Sequence, residues 1–122
     1  MCNHFSTCVL IDGYLYGCHG TARSWNVTLR CVELKRGKMM WEKDVGQPVG
    51  LSAANGMLLI LNNKGTSYIA ETSPKSYIEV ANAQVFEKKA TQVQCWTSPV
   101  LCGGRIYCRR MSGDLVCIDV RK

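Results

Sequence analysis

A chain of 122 residues, of which 47% are hydrophobic and 20% charged, is long enough for one packed domain and too apolar to be a disordered segment. Its longest apolar run, MLLIL at residues 57–61, suits a buried strand and is far shorter than the roughly 18 to 20 residues of a membrane-spanning helix, so we expect no membrane span. The net charge of +6 could attract an anionic partner, but the basic residues are scattered, which favours a solubilising surface.

The first predicted unit begins with a hairpin around Asp12 and Gly13. Asp-Gly between apolar runs is a strong hairpin signal, because both turn positions need a positive φ. A polar insertion at residues 20–28 separates the second strand from the third, and its Trp25 is expected to be exposed and is a candidate partner contact. The extended runs of this unit are STCVLI (6–11), YLYGC (14–18), LRCVE (29–33) and GKMMWEKDV (37–45).

The same order of elements follows twice more along the chain. Its extended runs are VGLSAA (49–54), MLLIL (57–61), TSYIAE (66–71) and SYIEVANAQVFE (76–87), then SPVLC (98–102), RIYCR (105–109) and DLVCID (114–119). The gap from the turn glycine to the matching residue of the third strand is equal in the second and third units. This register puts Cys31, Ile69 and Cys117 on one buried face, and the repeat period, in the forties, is that of a four-stranded propeller blade.

This order predicts an all-β fold, a partial β-propeller of about three four-stranded antiparallel blades, the last without its outer strand. The partial propeller spans residues 1–122, with blades at 5–47, 48–94 and 95–122. Complete propellers have about four to eight blades, so at least two sheet edges and one apolar face are expected to need a partner. The candidates are the remaining blades of a longer protein or another copy of the chain, two copies giving six blades.

Two segments carry a resemblance to a known family. CVELKRGKMMW (31–41) contains an acidic strand end, a Gly-Lys turn and a tryptophan, and CWTSPVLCGGRIYCR (95–109) contains a tryptophan, Ser-Pro and paired turn glycines. In this order they resemble the pyrroloquinoline-quinone-like (quinoprotein) β-propeller repeat. The matching positions are Glu33, Gly37, Lys38, Trp41, Trp96, Ser98, Pro99, Gly103 and Gly104.

A tryptophan at one position per blade has a structural reason. Blades splay outward around a ring, and a large flat side chain fills the gap between neighbouring sheets, burying roughly 150 to 250 Å². We therefore expect Trp41 and Trp96 to dock neighbouring blades. In the second unit Glu79 stands in the place of Trp41, and Tyr77 is expected to fill part of that space. The glycines expected to shape the blade turns are Gly13, Gly37, Gly56 and Gly104.

The favoured function is a non-catalytic propeller scaffold or binding module, part of a larger quinoprotein-like propeller, that binds a protein partner through loops or strand edges. The family includes a lipoprotein of the bacterial outer-membrane assembly machinery that binds in this way. A second hypothesis is an anionic-polymer binder, because Arg105 and Arg109 share one strand face; nucleic acid is not the favoured partner.

The third hypothesis is part of a dehydrogenase that uses pyrroloquinoline quinone (PQQ) and Ca²⁺. The resemblance implies a cofactor held between a tryptophan and an adjacent Cys-Cys disulfide, with Glu, Asn and Asp around the metal and substrate. The chain has no adjacent cysteine pair, and the acidic residues at its strand ends, Glu33, Glu71 and Asp119, suit turn capping. We expect no catalytic residue, metal ligand or cofactor from this chain; PQQ and Ca²⁺ would require the missing blades.

The eight cysteines are interpreted as structural thiols. None is spaced as a C-x2-C metal motif, and several lie within apolar strands, where free cysteine behaves as a small hydrophobe. Disulfides are the alternative. Free thiols fit a reducing compartment, whereas the family resemblance implies a periplasmic or exported parent protein.

Overall fold

Eleven strands and no helix make up the part of the chain that the structure, a computed structural model, describes, namely residues 1, 3, 6–20, 26–87 and 95–121. The strands form three antiparallel sheets of four, four and three strands, as the sequence predicts. Within these residues there is accordingly no helix long and apolar enough to cross a membrane.

Each sheet is a meander in which consecutive strands pair. The first sheet has the order β1-β2-β3-β4, the second β5-β6-β7-β8 and the third β9-β10-β11. The strands are β1 Val9–Ile11, β2 Tyr14–His19, β3 Thr28–Glu33, β4 Lys38–Lys43, β5 Pro48–Ala54, β6 Met57–Asn62, β7 Thr66–Glu71, β8 Glu79–Gln84, β9 Val100–Cys102, β10 Arg105–Arg109 and β11 Leu115–Asp119.

Two-residue turns join the first two strands of every sheet. All their central residues have a positive φ, between 49° and 83°, as the type I′ turn requires. These turns are Asp12–Gly13, Asn55–Gly56 and Gly103–Gly104. Gly37 has a φ of 66° in the β3–β4 turn, where its N–H donates to the Glu33 carbonyl at 2.9 Å. The four glycines singled out from the sequence thus all lie in turns.

The fourth strands of the first two sheets pair through the same irregularity. The register shifts next to Cys31 in the first sheet and next to Ile69 in the second, which marks a β-bulge at the equivalent place. Before the shift, Trp41 lies opposite Cys31 and Ala81 lies opposite Ile69. The expectation that Glu79 takes the place of Trp41 is therefore wrong, because the connection from β7 to β8 is longer than that from β3 to β4.

Two apolar clusters join the sheets, one on each face of the second sheet. In β6, Leu58 and Ile60 point to the first sheet while Leu59 and Leu61 point to the third, so this strand is buried on both faces. The cluster between the first and second sheets, here the first seam, contains the buried residues Tyr16, Leu29, Cys31, Val45, Leu51, Leu58, Ile60 and Ala70. The second seam, between the second and third sheets, contains Leu59, Leu61, Phe86, Cys95, Ile106 and Cys108.

A buried asparagine joins the segment that follows the first sheet to the β6–β7 turn of the second sheet. Asn62 is 2% exposed, and its Nδ2 donates to the Val45 carbonyl at 3.0 Å. Its Oδ1 accepts hydrogen bonds from the backbone N–H groups of Lys64 and Thr66 at 3.0 and 2.8 Å. Because an unpaired amide at this burial would be costly, the three bonds fix the β6–β7 turn against the end of the preceding sheet.

The innermost strands of the second and third sheets approach closely. Ser52 Oγ donates to the Pro99 carbonyl at 2.6 Å. At Gly50 a Cβ atom would lie 2.6 Å from the Thr97 carbonyl oxygen and 2.9 Å from the Ser98 Cα, so only glycine allows this backbone contact.

Replacing Gly50 by alanine should therefore destabilise the fold, because the added methyl group meets backbone that cannot rotate away. We expect a loss of about 1 to 3 kcal/mol in the free energy of unfolding, measured by urea denaturation. Ser98→Ala, which changes only an exposed side chain on the other side of the contact, should stay within about 0.5 kcal/mol of wild type. Equal stability of the Gly50→Ala variant and wild type would contradict the close approach.

Candidate interaction surface

Residues directly opposite each other in an antiparallel sheet lie on the same face and form rows across it. The first seam consists of two such rows. The first sheet contributes Val9, Tyr16, Cys31 and Trp41, which we call its presenting row, and the second sheet contributes Ala53, Leu58 and Ala70, which we call its answering row. At the second seam, the presenting row of the second sheet is Ser52, Leu59 and Ile69, and the answering row of the third sheet is Leu101, Ile106 and Ile118. Ala81 continues the presenting row across β8 but is exposed. Each seam is thus a row of one sheet packed on the answering row of the next.

The third sheet repeats the presenting row on its far side. Val100, Tyr107 and Cys117 lie opposite one another and outside both seams; we call them the third-sheet outer row. Val100 is 57% exposed and Cys117 is also exposed. The expectation that Cys117 is buried like Cys31 is therefore wrong, because no described sheet packs on this face.

The first sheet repeats the answering row on its own far side. Leu10, Leu15, Val32 and Met39 lie opposite one another across all four strands and outside both seams; we call them the first-sheet outer row. Leu10 is 56% and Met39 49% exposed. An entirely apolar row, exposed at Leu10 and Met39 and half-buried at Leu15 and Val32, thus lies at this end of the structure with no described sheet packed on it.

Next to its outer row, the first sheet carries a polar cluster. Glu42 accepts hydrogen bonds from the Thr28 hydroxyl at 2.6 Å and from Arg30 at 2.8 Å, and these bonds lower the pKa of its carboxyl group. Gly17, in the same part of this face, is covered by the side chains of Met1, Asn3 and Cys8. The exposed apolar part of the face is therefore confined to the outer row.

The arginines proposed as a basic patch differ in their pairing. Arg105 lies 3.9 Å from the Asp119 carboxylate, which Arg121 also binds, and the bonds from Arg121 lower the pKa of Asp119. Arg109 is exposed on the same face, opposite Leu115, which is 62% exposed. The positive charge of this face is thus partly neutralised, and its surface is mixed apolar and basic.

A shallow cleft of about 230 Å³ adjoins the same face. It is lined by Trp96, Thr97, Arg109, Arg110 and Met111. Trp96 is 45% and Met111 67% exposed. Exposed Trp, Met and Arg are the residue types enriched in protein interfaces, so the cleft extends the candidate surface beyond the outer row.

The two tryptophans expected between blades have different surroundings. Trp41 lies at the first seam, where its indole N–H donates to the Ser73 carbonyl at 2.7 Å and its ring lies 6.0 Å from that of Tyr16. Tyr77 packs edge-on against the same indole at 5.8 Å, so it contributes to the first seam and does not replace a docking aromatic at the second. Trp96 belongs to neither buried cluster and lies in the cleft.

Phe86 is the aromatic residue among the described side chains of the second seam, and no repeat motif of the sequence contains it. It is 4% exposed and the Arg110 guanidinium lies 5.5 Å from its ring centroid. Arg110 is held in place by an ion pair with Asp114. The position of Phe86, two residues beyond β8, has no counterpart in the Gly-Lys-…-Trp signature, so the repeat pattern could not reveal it.

The remaining candidate residues are Trp25 and the cysteines. Trp25 lies outside the described residues. The seven cysteines in the described part of the chain are free, with Cys18, Cys31, Cys95 and Cys108 buried. Across the same residues, no three His, Cys, Asp or Glu side chains are grouped so that they could hold a metal ion.

The comparisons with known proteins concern the fold. No protein-family model matches the sequence, and no curated protein is significantly similar to it. Among solved structures, the chain is similar to a quinohemoprotein alcohol dehydrogenase, ADHIIG from Pseudomonas putida HK5, with a TM-score of 0.69 at 12% identity over 94% of this chain and 19% of that one. It is also similar to BamB from Moraxella catarrhalis, with a TM-score of 0.53 at 14% identity over 92% of this chain and 42% of that one.

These similarities confirm the predicted fold, a partial β-propeller with an incomplete third blade. The chain spans less than half the length of either protein. The three sheets are therefore blades, and the two outer rows lie where further blades of a propeller would pack.

Trp41→Phe should destabilise the protein more than Trp96→Phe, because Trp41 loses a hydrogen bond at a seam, whereas Trp96 is 45% exposed and belongs to neither buried cluster. The change leaves the partly buried Ser73 carbonyl without its indole donor, and we expect a loss of about 1 to 3 kcal/mol in the free energy of unfolding by urea denaturation. Trp96→Phe, at an exposed site, should change it by about 0.5 kcal/mol or less. Equal effects of the two substitutions would contradict the assignment of Trp41 to the seam.

Cys95 should make stability depend on alkaline pH. Burial, with a contribution from the neighbouring Cys108, raises the pKa of the Cys95 thiol from 9.0 to about 11. The unfolded chain releases this proton near pH 9.0 while the folded chain keeps it, so the stabilisation is complete below pH 9.0 and is lost as the pH rises towards 11. Under reducing conditions, urea midpoints should fall less steeply over this range in Cys95→Ala than in wild type; Cys102→Ala, at an exposed thiol, should keep the wild-type slope.

Proposed function

We propose that the chain is a non-catalytic β-propeller module, a scaffold or binding unit of the quinoprotein-like type, that engages a partner through the outer face of its third sheet. The observation that carries the proposal is the third-sheet outer row. Its Val100 and Cys117 are exposed and its Tyr107 is half-buried, whereas the central residues of the equivalent rows, Tyr16 and Cys31 in the first sheet and Leu59 in the second, are buried in seams. The partner is therefore expected to present an apolar surface that covers this row.

The energetics favour a partner at this face. Val100 and Leu115 are 57% and 62% exposed, and apolar surface removed from water contributes roughly 25 cal/mol per Å². Tyr107 and Cys117 lie between them on the same face, and the Trp96 cleft adjoins it. Aromatic and arginine side chains of this kind commonly dominate binding energy.

The edge of the third sheet supports the same proposal. β3 and β7 each pair with a fourth strand, whereas in the described part of the chain no strand pairs with the outer side of β11. An extended segment of a partner could add to this edge through backbone hydrogen bonds. The partner would then contact both the edge and the face of one blade.

The two alternatives have weaker support. The similarity to an alcohol dehydrogenase is at 12% identity and concerns the fold alone, so PQQ and Ca²⁺ would have to be held by blades outside this chain. An anionic-polymer binder would need unpaired cations, whereas Arg105 and Arg110 are each ion-paired.

The test compares Val100→Glu with Val80→Glu, two exposed valines of 57% and 53% exposure, of which only Val100 belongs to the third-sheet outer row. Proteins retained by the immobilised chain from cells of its source are identified, purified and titrated against each variant. We expect the partner to bind wild type and Val80→Glu alike and to bind Val100→Glu at least about tenfold more weakly, because the carboxylate would be buried at the contact. A partner whose affinity is unaffected by Val100→Glu would exclude the proposed face.

A further inference from the structure

We infer that the third-sheet outer row packs on the first-sheet outer row of a second copy of this chain, so that two copies close a ring of six blades. The inference rests on the proposed function, because it names the partner of the surface proposed there. It follows from the way in which rows pair at the two seams within the chain.

In both internal seams the rows pair in the same direction along the chain. The row that contains Tyr16 in the first sheet, or Leu59 in the second, always packs on the next sheet. The row that answers it contains the residue one position nearer the first turn, which is Leu58 in the second sheet and Ile106 in the third. A third seam of the same kind therefore requires a presenting row that contains Tyr107 and an answering row that contains Leu15.

The chain carries both halves of this third seam, at opposite ends and with nothing described packed on either. The presenting half is Val100, Tyr107 and Cys117, and the answering half is Leu10, Leu15, Val32 and Met39. Apart from the thiol and the tyrosine hydroxyl, every side chain in the two rows is apolar. Because the rows belong to opposite sides of the repeat, each is complementary to the other and not to itself.

Beside the first-sheet outer row, other side chains already occupy this face of the first sheet. Arg30, Glu42 and Thr28 bond to one another beside it, and Met1, Asn3 and Cys8 already cover Gly17. A partner sheet would therefore rest on the apolar row.

The number of sheets allows closure. The described residues of each copy contribute three sheets, and two copies related by a twofold axis would form two identical third seams. The resulting six blades lie within the range of about four to eight that closed propellers use. Each copy would then have both of its outer rows buried.

The test is analytical ultracentrifugation of the whole chain at concentrations from about 1 µM to about 1 mM. Wild type should reach twice the 13.6 kDa mass of one chain. Leu10→Glu and Val100→Glu alter one outer row each, at sites of 56% and 57% exposure where folding should be unaffected, and each should raise the dissociation constant at least about tenfold. Val80→Glu, at 53% exposure outside the rows, is the matched control and should leave the dimer intact.

Mixing the two variants identifies the geometry. A heterodimer of Leu10→Glu with Val100→Glu keeps one unaltered seam, so the mixture should associate more tightly than either variant alone. An effect of Val100→Glu without one of Leu10→Glu would indicate a face-to-face dimer and overturn the inference. A wild-type monomer at all concentrations would also overturn it; in that case a different partner that depends on Val100 would leave the proposed function standing.

Discussion

The second sheet is apolar on both faces, and a sheet of this kind has to be covered on both sides. In β6, Leu58 and Ile60 point one way and Leu59 and Leu61 the other, because successive side chains of a strand alternate between faces. Each seam removes apolar surface from water, which stabilises the fold by roughly 25 cal/mol per Å². Separating either flanking sheet from the second sheet would therefore lose much of this stabilising free energy. The first and third sheets are held by this requirement, and each consequently has one face covered by the second sheet and one face on which no described sheet packs.

The two seams satisfy the requirement with different side chains. At the first seam, Trp41 fills the gap, and Tyr77 from the second sheet packs on its indole ring. At the second seam, Ala81 stands at the equivalent strand position, and Phe86 fills the gap from beyond the end of β8, with Arg110 beside its ring. The aromatic filler is thus a matter of volume and not of one fixed position. An additional seam could therefore form without a tryptophan at the position of Trp41.

Features set by local chemistry could be predicted from the sequence, and features set by packing could not. The Asp-Gly, Asn-Gly and Gly-Gly turns and the strand register follow from backbone sterics and equal spacing, and the structure has them. The places of Ala81 and Trp96 depend on loop length and on which sheet a face meets, neither of which a repeat pattern contains. Cys117 was expected to be buried by analogy with Cys31, but analogy between repeats fails at the last blade, because burial there depends on a partner.

The two outer rows make the two ends of the molecule different, because one end carries a presenting row and the other an answering row. In both internal seams a presenting row packs on an answering row. Association that repeats this pairing at both ends is head-to-tail, and such contacts either close into a ring or continue as a filament. Charged groups flank both rows, with the Arg30–Glu42 pair beside Leu15 and Val32 and the Arg105–Asp119 pair beside Tyr107. Flanking charges penalise a misaligned partner, because displacement along the strand would bury an ion pair against apolar surface. They therefore favour the one register in which apolar rows meet, which is also the register that repeats the internal seams.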